Sequence, residues 1–250
     1  MTGEDFRAGL RWLNGPALTP APALDYITDQ SVSNSMSSPD TAAPPSRQRR
    51  KDARPAELLE AALALFVEKG FAATRTEEVA QRAGVSKGTL YLYYPSKEEL
   101  FKAVIGHYLS ARIADTAQRV EAYRGKMGPL LQDLLVSWWQ QMYASPASAT
   151  FKIIISESRN FPEIAEYYVH NVIEPGSALI GGIIQRGVVS GEFHTDDGES
   201  VVHSLVLPMV MLCAHKHGLG ACSHHQIDGH AFIAEHVALI VRGLTHRTRN

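Results

Sequence analysis

Thr76, Ser86, Lys87, Thr89, Tyr91, Tyr93 and Lys97 place five hydroxyls and two ammonium groups within one short stretch of the chain. Phosphate oxygens and the edges of nucleic-acid bases take hydrogen bonds from such groups. To act together they must share one exposed face. The stretch that holds them, TRTEEVAQRAGVSKGTLYLYYPSK (residues 74–97), reads as a helix, a glycine turn and a second short helix. Ala80, Gly84, Val85, Leu90 and Tyr93 fall at the spacing a helix-turn-helix needs. A small residue at Ala80 lets the helices cross closely. Gly84 can take the positive φ that a three- to four-residue turn requires. Val85 and Leu90 then pin the second helix to the first.

The flanking elements are legible too. Leu58, Leu59, Ala62, Leu63 and Phe66 recur at helical spacing after Pro55, which is tolerated in a first helical turn, and Gly70 ends that helix. Thr74 with Glu77 has the spacing of a capping box and predicts a helix over about 75–83. Ser86 caps the next helix and Pro95 stops it. Ser96 with Glu99 repeats the capping-box spacing and opens a long helix with Leu100, Val104, Tyr108 and Ile113 inside.

Each candidate contact also has a purely structural reading. Ser86 is an N-cap whether or not it meets DNA. Thr76 could be a solvated first-turn residue, and Lys87 and Lys97 merely exposed charges. Either Tyr91 or Tyr93 could close the small core. Residues 46–103 hold 11 Lys/Arg against 8 Asp/Glu, an excess of +3 in a chain of net charge −2. A polyanion meets this local charge within a Debye length. Its densest part, Arg47, Arg49, Arg50, Lys51 and Arg54, reads equally as a solvated run or as an arm tracking a minor groove.

Residues 1–45 are rich in Pro, Ser, Thr and Ala and are expected to be a disordered tail, with Met36 as the expected true start. No convincing strand follows residue 100. Helices are expected over 129–145 and 148–159, then from 162 with a break at Pro175-Gly176, and finally over 197–217 and 228–244. About nine helices with short loops make an all-α protein. The expected division is a tail (1–45), a helix-turn-helix head (46–100) and a larger ligand-binding and dimerisation body (101–250). Trp138, Trp139, Met142, Tyr143, Phe151, Ile155, Phe161, Tyr167 and Tyr168 could line an apolar cavity, although for each one plain core packing is the simpler reading. Leu205, Met209, Leu212, Ile233, Val237, Ile240 and Val241, on the last two helices, fit either monomer core or a dimer interface.

Other classes find less support. Cys213, His215, His217, Cys222, His224, His225 and His230 lie close together but lack a recognised metal-ligand spacing, so no metal site is expected. Gly-rich phosphate loops, G-x-S-x-G and H-E-x-x-H are absent, so no enzyme and no cofactor are expected. Two cysteines fit a reducing cytoplasm, and no run of 18 uninterrupted apolar residues suggests a membrane partner.

The segment ELLEAALALFVEKGFAATRTEEVAQRAGVSKGTLYLYYPSKEELFKAVI resembles the TetR family of bacterial transcriptional repressors, most specifically in AGVSKGTLYLYYPSKEEL. The resemblance implies a homodimer on a palindromic double-stranded operator and a body that binds a small effector. It also implies a four-helix interface built from the last two helices of each subunit. It assigns DNA contacts to Thr76, Ser86, Lys87, Thr89, Tyr91, Tyr93 and Lys97, and places Tyr94 inside. The alternatives are a regulator without a ligand and a metal-responsive regulator acting through 213–230.

Overall fold

The computed structural model describes residues 47–222 and 227–246, with backbone alone for 47–54 and 221. The expected tail, the proposed start at Met36 and His224 and His225 lie outside these residues. So do the side chains of the basic run. Among the described residues every regular element is helical. The first three helices are α1 (Arg47–Lys69), α2 (Thr76–Arg82) and α3 (Lys87–Tyr93). Helix α4 (Lys97–Ile105) passes through a π-helical turn (Gly106–Ser110) directly into α5 (Ala111–Ala122). Then come α6 (Met127–Ala144), α7 (Ala149–Glu157) and α8 (Pro162–Tyr168). A second π-helical turn (Val169–Ile173) joins α8 to α9 (Glu174–Val189), and α10 (Gly198–Lys216) and α11 (Gly229–Thr245) complete the chain.

Two local expectations need correction. Helical backbone begins at Arg47, so Pro55 sits inside α1 and does not open it. Pro175-Gly176 does not break the chain. The π-turn puts the Glu174 N–H on the Val169 carbonyl, and Pro175 then occupies the first turn of α9. That is where a missing N–H does least harm. Residues 97–122 likewise form one uninterrupted helix, so the expected head–body boundary at residue 100 falls within it.

The two π-turns pack against each other. Beside them the Tyr167 hydroxyl of α8 packs on Gly106, 2.9 Å from where a Cβ would stand. Helix α6 has no capping side chain of its own. Its N-terminus is instead closed by a residue 64 positions away. The Glu192 carboxylate accepts from the N–H groups of Met127 and Gly128, both at 2.7 Å. A carboxylate there satisfies two orphan donors and complements the helix dipole. Glu192→Gln, which loses the charge and one acceptor, is expected to lower the unfolding free energy by about 2 kcal/mol. Urea denaturation checks this; a midpoint equal to the wild type would show that the cap contributes nothing.

Candidate nucleic-acid interface and ligand cavity

The head forms around Leu90, which is fully buried between α1, α2 and α3 together with Val79, Ala80 and Leu58. Gly84 adopts φ +66°, the left-handed conformation that an L side chain rarely takes, and its N–H bonds the Gln81 carbonyl. Val85 then donates to the Ala80 carbonyl at 2.9 Å, and the chain turns into α3. Ser86 caps α3 by accepting the Thr89 N–H at 3.1 Å, and Ser96 caps α4 by accepting the Glu99 N–H at 3.1 Å. The reciprocal half of the second box is missing because the Glu99 carboxylate pairs with Lys102.

The first capping box does not form. Thr74 is buried and its hydroxyl sits 2.7 Å from the Gly70 carbonyl and 3.2 Å from that of Leu65, which ties the loop back to α1. Arg75 is the N-cap, and its N–H is received by the Glu78 carboxylate.

That shift frees Glu77 to join a cross-helix cluster. Its carboxylate forms an ion pair with Lys87, which holds the acid below the usual carboxylate range and raises the lysine. The Lys87 ammonium also lies 5.7 Å from the Tyr91 ring centre. The Tyr91 hydroxyl meets the Thr76 hydroxyl at 2.9 Å. The Thr76 hydroxyl also lies 3.5 Å from the Glu77 carboxylate, so it can donate there while accepting from Tyr91; when Thr76 donates to Tyr91 instead, the Tyr91 O–H is left for an outside acceptor. The ion pair is solvent-exposed on both sides. Such a pair contributes little to stability, so a phosphate can draw Lys87 away at small cost. Tyr93 is half-buried against the core beside Tyr94.

Lys97 behaves differently. Its ammonium donates to the carbonyls of Phe71 and Ala72 at 2.8 and 3.0 Å and lies 4.6 Å from the Phe71 ring centre. Two of its three donors thus hold the loop after α1 onto α4. Lys97→Met is expected to lower stability by about 2 kcal/mol. It should leave the slope of log K against log salt for DNA unchanged. Loss of one phosphate contact per subunit would instead flatten that slope by about two units for a dimer.

Leu92 is absent from the sequence-based set, yet it is 85% exposed, more than any other large hydrophobic side chain among the described residues. The alternation LYLYY hides it, since Leu90 and Leu92 look alike in composition. On a helix, two positions apart means opposite faces.

An apolar cavity of about 90 Å³ lies in the body between α5, α6, α7, α9, α10 and the second π-turn. Trp138, Trp139, Phe151 and Tyr168 line it, as the sequence suggests, together with Ile113, Thr116, Val172, Ser177, Val206 and others. Burial pushes the Tyr168 phenol far up, so it stays a neutral hydrogen-bonding group. The other candidates lie elsewhere. Met142 is core, and Ile155 is exposed. Tyr143 packs beside His230 and beneath the Lys216 ammonium. Tyr167 packs on Gly106. Phe161 stacks edge-on against Phe71 of the head, centres 4.8 Å apart.

The last two helices are apolar on both faces. Helix α10 is even long and apolar enough to cross a membrane on length and composition alone, although in this fold it packs against α7, α9 and α11. Leu205, Met209, Leu212, Ile233, Val237 and Val241 are buried within the chain and belong to its core; Ile240 is half-buried. Leu207, Met211, Phe232 and Leu239 are the large apolar side chains these helices leave exposed. Pro208 interrupts the ladder of α10, and the His236 ring of α11 sits 2.9 Å from the Ser204 carbonyl that loses its partner there. In the His/Cys segment, Cys213 is buried and His217 bonds the Ser148 hydroxyl at 2.7 Å. Among the described residues no three His, Cys, Asp or Glu side chains are grouped to hold a metal ion.

Comparison with known proteins agrees with this geometry. The profile "Bacterial regulatory proteins, tetR family" matches residues 58–104. The HTH-type transcriptional regulator RutR of Escherichia coli O157:H7 is 40% identical over 159 residues, 56% of this chain and 66% of RutR. The uncharacterised HTH-type regulator YfiR of Bacillus subtilis (strain 168) is 29% identical over 153 residues, 60% of this chain and 73% of YfiR. This chain therefore spans about two thirds to three quarters of these two relatives. The fold is shared by the transcriptional regulator FadR of Bacillus subtilis, solved in complex with stearoyl-CoA. The TM-score is 0.60 at 16% identity, covering 76% of this chain and 98% of FadR.

Proposed function

The chain belongs to the TetR family of bacterial transcriptional regulators, and from that premise we propose that it is a homodimeric repressor, released from a palindromic operator when a mainly apolar small molecule enters the body. The head is residues 46–100 and the body 101–250. Thr76, Ser86, Lys87, Thr89, Tyr91 and Tyr93 meet the DNA, while Lys97 positions α4. We read the protein as cytoplasmic and non-enzymatic. Leu207, Met211, Phe232 and Leu239 supply the apolar surface that the partner subunit covers, in keeping with helices apolar on both faces.

The observation that carries the ligand-gating reading is the identity of the cavity wall. Ile113 and Thr116 belong to the same continuous helix whose other end packs Phe101 against Phe66 and Phe71 of the head. The cavity is small beside the roughly 300–1,000 Å³ of common ligand sites. A ligand of that size requires the cavity to widen, and α5 and α9, two of the helices that border it, each follow a π-turn, a feature that recurs at functional sites. The ligand complex of FadR makes long-chain acyl compounds the first class to test.

Two of the three tryptophans, Trp138 and Trp139, border the cavity, so ligand entry can be followed by intrinsic fluorescence. Stearoyl-CoA, stearate and a neutral long-chain alcohol are titrated into full-length protein bound to a duplex selected in vitro. The expected result is saturable quenching with parallel loss of DNA anisotropy. Saturated quenching with undiminished DNA binding would overturn gating, and no quenching by any of the three would overturn the acyl class.

A further inference from the structure

The outward face of α3 is not centred on the polar residues that flank it. With 100° between successive residues, Gly88 and Leu92 each lie about 20° from the direction opposite the buried Leu90. Thr89 lies on one flank, with Lys87 and Tyr91 on the other. Lys87 is tied to Glu77 and Tyr91 to Thr76, so both lean back toward α2. Gly88 is exposed, and a Cβ there would meet nothing closer than the Ser86 hydroxyl at 3.8 Å. The centre of the face is therefore bare backbone beside one leucine that is 85% exposed and in none of the core clusters.

A leucine can neither donate nor accept a hydrogen bond. A recognition helix lies in the major groove with its outer face, N-terminal residues first, toward the base edges, and in a helix of only seven residues Leu92 is still within about one and a half turns of that end. The one apolar group those edges offer is the C5-methyl of thymine. We propose that Leu92 is a specificity-determining residue that reads a thymine methyl in each operator half-site, with Gly88 allowing the helix backbone to approach closely. This rests on the DNA-binding reading above and assigns to it a base and a contact.

Duplexes are selected from a random pool with full-length protein. Each thymine of the selected half-site is then replaced in turn by deoxyuridine, which removes the methyl alone. At one thymine per half-site the wild-type Kd is expected to rise about four-fold, and about fifteen-fold when both halves are replaced, as for burial of one methyl group each. Leu92→Ala, an exposed substitution that leaves the fold intact, is expected to bind the thymine and deoxyuridine duplexes equally. The inference is overturned if selected sites lack a thymine in common. It is equally overturned if the wild type binds its duplex with every replacement within two-fold, or if Leu92→Ala keeps the wild-type sensitivity. Enrichment of no duplex at all would instead refute the DNA-binding reading and the inference with it.

Discussion

Phe101→Ala is expected to lower the unfolding free energy by about 3–5 kcal/mol and to abolish operator binding at ordinary protein concentrations. Phe101 is fully buried, with its ring 5.2 Å from that of Phe66 in α1 and 5.3 Å from that of Phe71. Phe71 in turn touches Phe161 at the start of α8. Truncation removes one ring of a four-ring cluster, centred on Phe71, that joins the connector helix to α1 and α8. The loss combines the missing transfer free energy with a cavity that two neighbouring rings cannot collapse to fill. Against a total stability of about 5–15 kcal/mol for a typical domain, this leaves the head only partly ordered. Urea denaturation and anisotropy with labelled operator measure the two effects. Ile155→Ala, at an exposed position, is the control expected to stay within about 0.5 kcal/mol. A Phe101→Ala protein within 1 kcal/mol of the wild type would show that the cluster does not hold the head to the body.

Gly187→Ala is expected to destabilise by about 3 kcal/mol, the reverse of what helix propensity alone suggests. In an exposed helix interior, Gly→Ala stabilises by about 1 kcal/mol. Here the added Cβ would fall 2.6 Å from Phe193 Cε2 and 2.7 Å from Cγ. Phe193 is buried and cannot swing aside. The Gly187 carbonyl also receives the N–H groups of both Glu192 and Phe193, at 2.9 and 3.0 Å. Displacing the ring therefore pulls Glu192 from the N-terminus of α6, and the overpacking strain is joined by a lost cap. A double mutant with Glu192→Gln is accordingly expected to lose less than the sum of the two single losses, since both act through one turn. Strict additivity, or a raised melting temperature for Gly187→Ala, would contradict this coupling.

The sequence by itself determined whatever depends on neighbours a few residues away. Ser86 and Ser96 cap their helices, Gly84 turns the chain and Leu90 faces inward, because each needs only groups within about four residues. The same locality made the helical class and the recognition helix legible. Tertiary structure decided the rest. Thr74 is within capping reach of α2, yet its hydroxyl turns to carbonyls at the end of α1, which moves the N-cap to Arg75 and sends Glu77 to Lys87. Lys97 reads as a free surface charge until the chain folds back and brings two carbonyls, 25 and 26 residues earlier, under its ammonium. Pro175 reads as a break because periodicity cannot foresee a π-turn, which gains its place by packing against another. Which face of α10 and α11 points inward was also beyond the sequence. Both helices carry large apolar side chains on the outward face as well, Leu207, Met211, Phe232 and Leu239, so apolar type alone does not separate the buried side from the exposed one, and packing against α7, α9 and each other does. Leu92 follows the same rule in reverse. Its type suggests core, but the register of α3, set by Leu90, turns it outward to the middle of the helix's exposed face.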